Sequence, residues 1–177
     1  SELWYNSRTD FSPEALGTEL PAHKNSGFEL LQGPAQFDGE ILGGCIDSMY
    51  EMFSGWRYGD MPEVCRKYGL FPSMDDWRGK ILLMESCEEY MPPETYKKAL
   101  ETLQETGVFD AVSGVLVGKP MDDMYHEEYK KLLVETISNK ELPILCNINV
   151  GHAQPRCILP FGVPAHVDAD AQVIRFG

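Results

Sequence analysis

The sequence has no run of about 18 uninterrupted apolar residues, the length a membrane-spanning helix needs, and its first residues, SELWYNSRTDF, lack the basic-then-apolar order of a secretory signal. No contact with a membrane is expected. Basic residues are scarce: 15 Lys and Arg stand against 28 Asp and Glu, a net charge of −13. Phosphate backbones are held by Lys and Arg that displace condensed counterions, so this balance speaks against nucleic acid as a partner. The five cysteines, Cys45, Cys65, Cys87, Cys146 and Cys157, are odd in number and contain no C-x-x-C pair. Such a set reads as reduced thiols in a cytoplasmic protein. Cys146, His152 and Cys157 match no structural zinc spacing, and neither a metal site nor a cofactor is expected. No G-x-S-x-G nucleophile turn occurs, and Ser48, Ser54, Ser86 and Ser113 lie in no strand-to-helix elbow. Repeats and low-complexity segments are also missing.

What is present is an ordinary globular composition. Hydrophobic residues make up 43% of 177 positions, enough for one domain with its own core. Residues 1–27 mix Trp4, Tyr5 and Phe11 with Ser, Pro, Gly and charges in no period, and read as an arm or interdomain linker with one helical turn after Ser12-Pro13-Glu14. The domain proper is residues 28–177. FELLQG and Asp38–Cys45 read as strands, followed by a short helix, IDSMYEMF. Residues 54–79, rich in Gly, Pro and aromatics, read as an inserted excursion. KILLME, VSGVLV and LPILCN are apolar runs of the kind buried parallel strands show. Between them lie two helices, from Met91-Pro92-Pro93-Glu94 to Thr106 and from His126 to Ser138. The tail segments RCILPFG, PAHVDAD and AQVIRFG read as a three-part β-meander. The fold class is α/β, a parallel strand core with an added β layer.

Chemistry in such a fold gathers at the C-terminal ends of the parallel strands. Glu85 ends KILLME, and Asn147-Ile148-Asn149-Val150-Gly151-His152 leaves LPILCN. A carboxylate that fixes a histidine's tautomer is two-thirds of a hydrolase triad. Taken singly, such a glutamate is more often a solvated strand end or a cap, and such a histidine more often a turn residue. Asp122, Asp123, Glu127 and Glu128 sit around a helix start, where the dipole favours acids. Lys119 is at most a cation at a pocket edge, and His166 reads as a strand surface residue.

The ordered strings FDGEILGGC, GKILLMES, TGVFDAVSGVLVGK and LPILCNINVGHAQPRCILPFGVPAHVDAD resemble the C-terminal half of the LD-carboxypeptidase family of serine peptidases. The resemblance runs over roughly residues 25–175, is strongest at Gly151-His152 and the following Leu159-Pro160-Phe161-Gly162, and is nearest the branch giving immunity to the peptide-nucleotide antibiotic microcin C. It implies a swivelling β/β/α-type domain, the C-terminal half of a two-domain cytoplasmic enzyme. It further implies that Glu85 and His152 belong to a Ser-Glu-His triad whose serine lies in an N-terminal domain outside this chain. The substrate would be a muropeptide or a peptidyl-nucleotide, cleaved at an amide near a C-terminus. The chain alone is then expected to be inactive, its bared interdomain face to pair as a homodimer, and its partners to be that N-terminal domain and a small peptide or peptidyl-nucleotide.

One departure bears on specificity. The family shows Gly-Gly-Asn, with an asparagine that helps hold substrate, where this sequence has Gly43-Gly44-Cys45, and a thiol cannot replace an amide's donors and acceptor. Trp4 lies near the family's aromatic substrate loop, where an indole stacks on a nucleobase; the plainer reading is a ring packed on the body of the domain. The other function class left open is a non-catalytic binding or dimerisation domain that keeps the fold.

Overall fold

The computed structural model describes residues 1–177. Within the N-terminal arm, β1 (Leu3–Tyr5) and β2 (Ala22–Lys24) pair antiparallel with Trp4 opposite His23. The expected helical turn forms, closed by the Leu16 N–H on the Ser12 carbonyl at 3.0 Å. The arm is thus a hairpin and not irregular chain. Strands of three residues so far apart leave no periodic signal to read.

The chain continues as β3 (Glu29–Gln32), β4 (Gln36–Cys45), α1 (Ile46–Ser54), α2 (Met61–Tyr68), α3 (Met74–Trp77), β5 (Ile81–Glu85), α4 (Pro93–Thr106), α5 (Val108–Ala111), β6 (Gly114–Gly118), α6 (His126–Thr136), β7 (Ile144–Ile148), β8 (Pro164–Asp168) and β9 (Val173–Phe176). Seven strands make one sheet in the order β3-β7-β6-β5-β4-β8-β9. Its middle is parallel, β4 with β5, β5 with β6 and β6 with β7, and its margins are antiparallel.

The apolar runs form strands because both of their faces are covered. In β5, Leu82 and Met84 point into a core shared with the helices, while Ile81 and Leu83 point into a second core with Phe37, Ala165 and Val167. That second core exists because β4 changes partner halfway: Ile41 to Cys45 pair with β5, and Gln36 to Glu40 pair with β8. The change curls the sheet over itself, giving two β layers and one helical layer. The α/β reading with a parallel core and an added β layer therefore holds, in the β/β/α form.

Two expectations fail in detail. RCILPFG is no strand: Ile158 is 93% exposed, the Cys157 N–H is taken by the Asn149 carbonyl at 2.6 Å, and Pro160 has no N–H to offer a ladder. The antiparallel layer is instead β8, β9 and the first half of β4. The segment 54–79 is no loose excursion either. It forms α2 and α3, the latter started by a Ser73–Asp76 capping box, and its Trp77 is 2% exposed within the helix-side core. No helix is long and apolar enough to cross a membrane.

Candidate active site

Glu85 is the last residue of β5 and the only one of that strand not fully buried. Two strands away, β7 releases residues 149–152 over the end of β6. Gly118, which ends β6, makes room for that crossing: an added Cβ there would sit 2.9 Å from Glu85 Cβ and 3.1 Å from Val150 Cγ1. The result is that His152 Nδ1 lies 2.9 Å from Glu85 Oε2, although the residues are 67 positions apart. Gly151 has a left-handed φ of 70°, and a Cβ on it would fall onto that same carboxylate oxygen.

The other ring nitrogen, Nε2, lies 2.9 Å from Glu88 Oε2. Side-chain exposure rises from 12% for Glu85 through 31% for His152 to 63% for Glu88. The inner carboxylate is therefore held in the fold, the ring is half-buried, and the outer carboxylate lies at the surface. A neutral imidazole has one N–H and one acceptor nitrogen. Once Glu88 leaves Nε2, donation from Nδ1 to Glu85 makes Nε2 the acceptor, the arrangement a general base needs.

The loop that carries His152 is braced by the two asparagines before it. Buried Asn147 donates to Ser26 Oγ at 3.0 Å and to the Gly27 carbonyl; Asn149 donates to the Pro155 carbonyl at 3.0 Å and accepts from Asn25 at 3.0 Å. Residues 25–27 thereby tie the hairpin to the site. Asp122 ties it from the other side, accepting from the Ser7 N–H at 2.7 Å, Asn6 at 3.2 Å and the Tyr90 hydroxyl at 2.7 Å. The hydrogen bond to Asp122 pushes the Tyr90 hydroxyl up to about 12. Asp123 is held down at about 2, first by its hydrogen bond from His126 and also by Lys119. The acidic residues before α6 thus anchor neighbouring segments.

Gly43, Gly44 and Cys45 face β5 in register with Leu83, Met84 and Glu85. Gly43 is required by close approach, since a Cβ there would collide with the Leu83 backbone. Cys45 lies beside the Glu85–His152 pair, yet burial first, then the Asp47 and Glu85 carboxylates, push its thiol up to about 12. It stays protonated and is a poor nucleophile. Trp4 is 8% exposed, stacked on His23 with centroids 4.2 Å apart, and the Lys119 ammonium lies 4.9 Å from its ring centre. Its surroundings are those of a packed ring that locks the hairpin to β6. Lys119 is itself only 4% exposed and pairs with Asp123 at 3.3 Å. His166 hydrogen-bonds Asp38 at 2.8 Å on the antiparallel layer, and Cys146 lies in the helix-side core without joining His152 and Cys157 in a donor cluster.

Sequence reasoning missed Gly118, Glu88 and the carboxylate of Asp47. Gly151, by contrast, is visible in the sequence as the glycine before the histidine. Gly151→Ala is expected to cost about 1–2 kcal/mol of stability, the penalty of a side chain in left-handed backbone, measurable by denaturant unfolding. It should also displace Glu85 from His152, seen as a change in the ring nitrogen chemical shifts.

Residues 38–167 match the family model described as the LD-carboxypeptidase C-terminal domain. The solved structure of an MccF-like protein from Streptococcus pneumoniae in complex with AMP is 56% identical, with a TM-score of 0.97 over 100% of this chain and 51% of that one. The microcin C7 self-immunity protein MccF of Escherichia coli is 25% identical over 172 residues, 96% of this chain and 44% of that protein. A structure of MccF in complex with aspartyl sulfamoyl adenosine shares the fold at 23% identity, with a TM-score of 0.70 over 98% of this chain and 47% of that one. The chain spans about half the length of these relatives or less.

Proposed function

The chain belongs to the LD-carboxypeptidase family, and from that premise we propose that Glu85 and His152 are two members of a Ser-Glu-His triad whose serine comes from outside these 177 residues. The observation that carries this reading is the 2.9 Å contact between Glu85 and Nδ1 of His152, which leaves Nε2 on the side of the exposed Glu88.

In this scheme Nε2 takes the serine proton as the hydroxyl attacks the amide carbonyl, and Glu85 stabilises the imidazolium that forms. The ring then returns the proton to the leaving amine, and water resolves the acyl-enzyme by the same route. In the chain alone Glu88 occupies the side of the ring that the serine would approach, so it must swing aside on assembly; at 63% exposure its contact with His152 is a surface one and costs little to break. The exposed Ile158 and Phe161, on the loop after His152, mark the face that the nucleophile-bearing portion would cover.

The substrate class we favour is a peptidyl- or aminoacyl-nucleotide. AMP in the 56% identical structure supports a nucleotide subsite in the complete protein. Cys45 stands where the family resemblance places an asparagine that helps hold substrate, so the substrate accepted should differ from that of relatives with the amide. The test offers the full-length protein an aminoacyl-sulfamoyl adenosine and an LD-linked muropeptide. Release of the amino acid from the first, at a kcat/KM at least about 100-fold above the second, is the expected outcome, a margin of roughly 2.7 kcal/mol in transition-state binding. Preference for the muropeptide would overturn the nucleotide assignment, and inertness toward both would favour the non-catalytic binding domain.

A further inference from the structure

We propose that Cys45, Asp47 and Cys87 form a binding site for a soft divalent cation of the zinc class. The three residues arrive from three elements at the same end of the sheet as the Glu85–His152 pair. Cys45 ends β4, opposite Glu85; Asp47 is in the first turn of α1; Cys87 lies two residues past the end of β5. Their ligand atoms all lie within 4.8 Å of one another. A tetrahedral zinc with bonds of about 2.3 Å to sulfur and about 2.1 Å to oxygen holds its ligand atoms roughly 3.5–3.8 Å apart, so shifts of no more than about 1 Å would close the site.

The charge at the cluster points the same way. Asp47 is 4% exposed and enters none of the ion pairs of the protein. Its Oδ2 accepts from the Cys87 N–H at 3.2 Å and from the Cys45 thiol at 3.5 Å. Arg57, which feels the Asp47 charge, is ion-paired to Glu89 instead, so this buried carboxylate is hydrogen-bonded only by neutral donors and has no ion-pair partner of its own. A divalent ion would supply that partner: two metal–sulfur bonds form, two thiol protons leave to solvent, and the Asp47 oxygen becomes the third ligand.

Two thiolates and one carboxylate suit zinc or cobalt and disfavour magnesium and calcium, which take oxygen alone. Three protein ligands leave the fourth position open to water or a substrate atom, as in zinc sites that exchange ligands. Arg57, ion-paired to Glu89, lies close enough to Cys87 for its charge to favour a thiolate there from outside the ligand set. Zinc-site spacing rules overlook this cluster because its cysteines lie 87 − 45 = 42 positions apart and are joined by strand pairing. Neither Glu85 nor His152 is a ligand, so the triad assignment does not depend on this site; only the substrate contact assigned to Cys45 would be taken up by the metal.

The test is titration of the reduced, metal-free protein with Co²⁺, followed by Zn²⁺. One equivalent should bind with a thiolate-to-cobalt charge-transfer band in the near ultraviolet and the visible absorption of a tetrahedral site, both erased by Zn²⁺. Cys45→Ser and Cys87→Ser should each weaken binding by more than about 100-fold, beyond what loss of an outer-shell partner costs, while Cys157→Ser should leave it unchanged. Saturating Zn²⁺ should raise the melting temperature of the parent protein and not that of the two ligand variants. Asp47→Asn should lower the affinity; should it fail to fold, the serine variants carry the test. No band in the folded protein, a band that survives Cys45→Ser, or one that depends on Cys157 would overturn the assignment. A Cys45–Cys87 disulfide formed on mild oxidation by a protein that binds no metal when reduced would also overturn it, and would identify a redox pair.

Discussion

In the complete protein, His152→Ala is expected to lower kcat by about 10⁴-fold with little change in KM, and Glu85→Gln by a similar factor, because triad members act as a unit. The geometry explains why the second effect should approach the first. Glu85 is the only partner of Nδ1, and the absence of a side chain at Gly151 and Gly118 leaves the space in which it reaches that nitrogen. An amide at that position can offer its N–H₂ to Nδ1 and so stabilise the tautomer whose Nε2 carries the proton, which cannot accept from serine. Glu88→Gln is the informative control. If Glu88 merely fills the serine's place in the absence of its partner, its loss should change kcat by less than about 10-fold, well short of the loss at a triad position. Stopped-time product assays on the three variants decide between these outcomes.

The second large effect concerns stability. Trp77→Ala should cost about 3–5 kcal/mol, in the range of buried aromatic truncations, whereas Trp56→Ala should stay within about 0.5 kcal/mol. Both tryptophans belong to residues 54–79, but Trp77 is 2% exposed against 56% for Trp56. Trp77 packs on Phe71 with centroids 5.7 Å apart and joins the core beneath β5 and α4. Chemical denaturation of the two variants would separate a segment integral to the core from a detachable one; equal, small losses would restore the reading of an insertion.

That segment shows where the sequence was hard to read. KILLME, VSGVLV and LPILCN are legible as strands because burial on both faces leaves only apolar residues, and the acid at the end of the first marks the functional edge. The stretch with Trp77 mixes Gly, Pro and aromatics, and its core contact is long-range. RCILPFG looks as apolar as a strand, yet its backbone is committed to the loop that frames His152, and Ile158 stands in solvent. The β1–β2 hairpin depends on partners remote in sequence, Asp122 and the Asn147 region, that no local pattern announces.

The site divides along the same line. Glu85 and His152 stand out as chemical groups leaving two apolar strands, and their contact at 2.9 Å follows from strand order, which a sequence pattern leaves undetermined. Glu88 is indistinguishable from a solvated surface acid until its carboxylate is found 2.9 Å from Nε2. Cys45 is visible as a departure from the family's asparagine, while Asp47 and Cys87 acquire meaning only when β4 and β5 lie side by side.

The most direct measurement of the central claim is covalent labelling of the full-length protein with a fluorophosphonate, followed by peptide mapping. If this chain supplies the acid and base of the triad and not its nucleophile, a single serine outside these 177 residues should be modified, and His152→Ala should suppress its labelling. Modification of Ser48, Ser54, Ser86 or Ser113, or labelling undiminished in His152→Ala, would contradict the account.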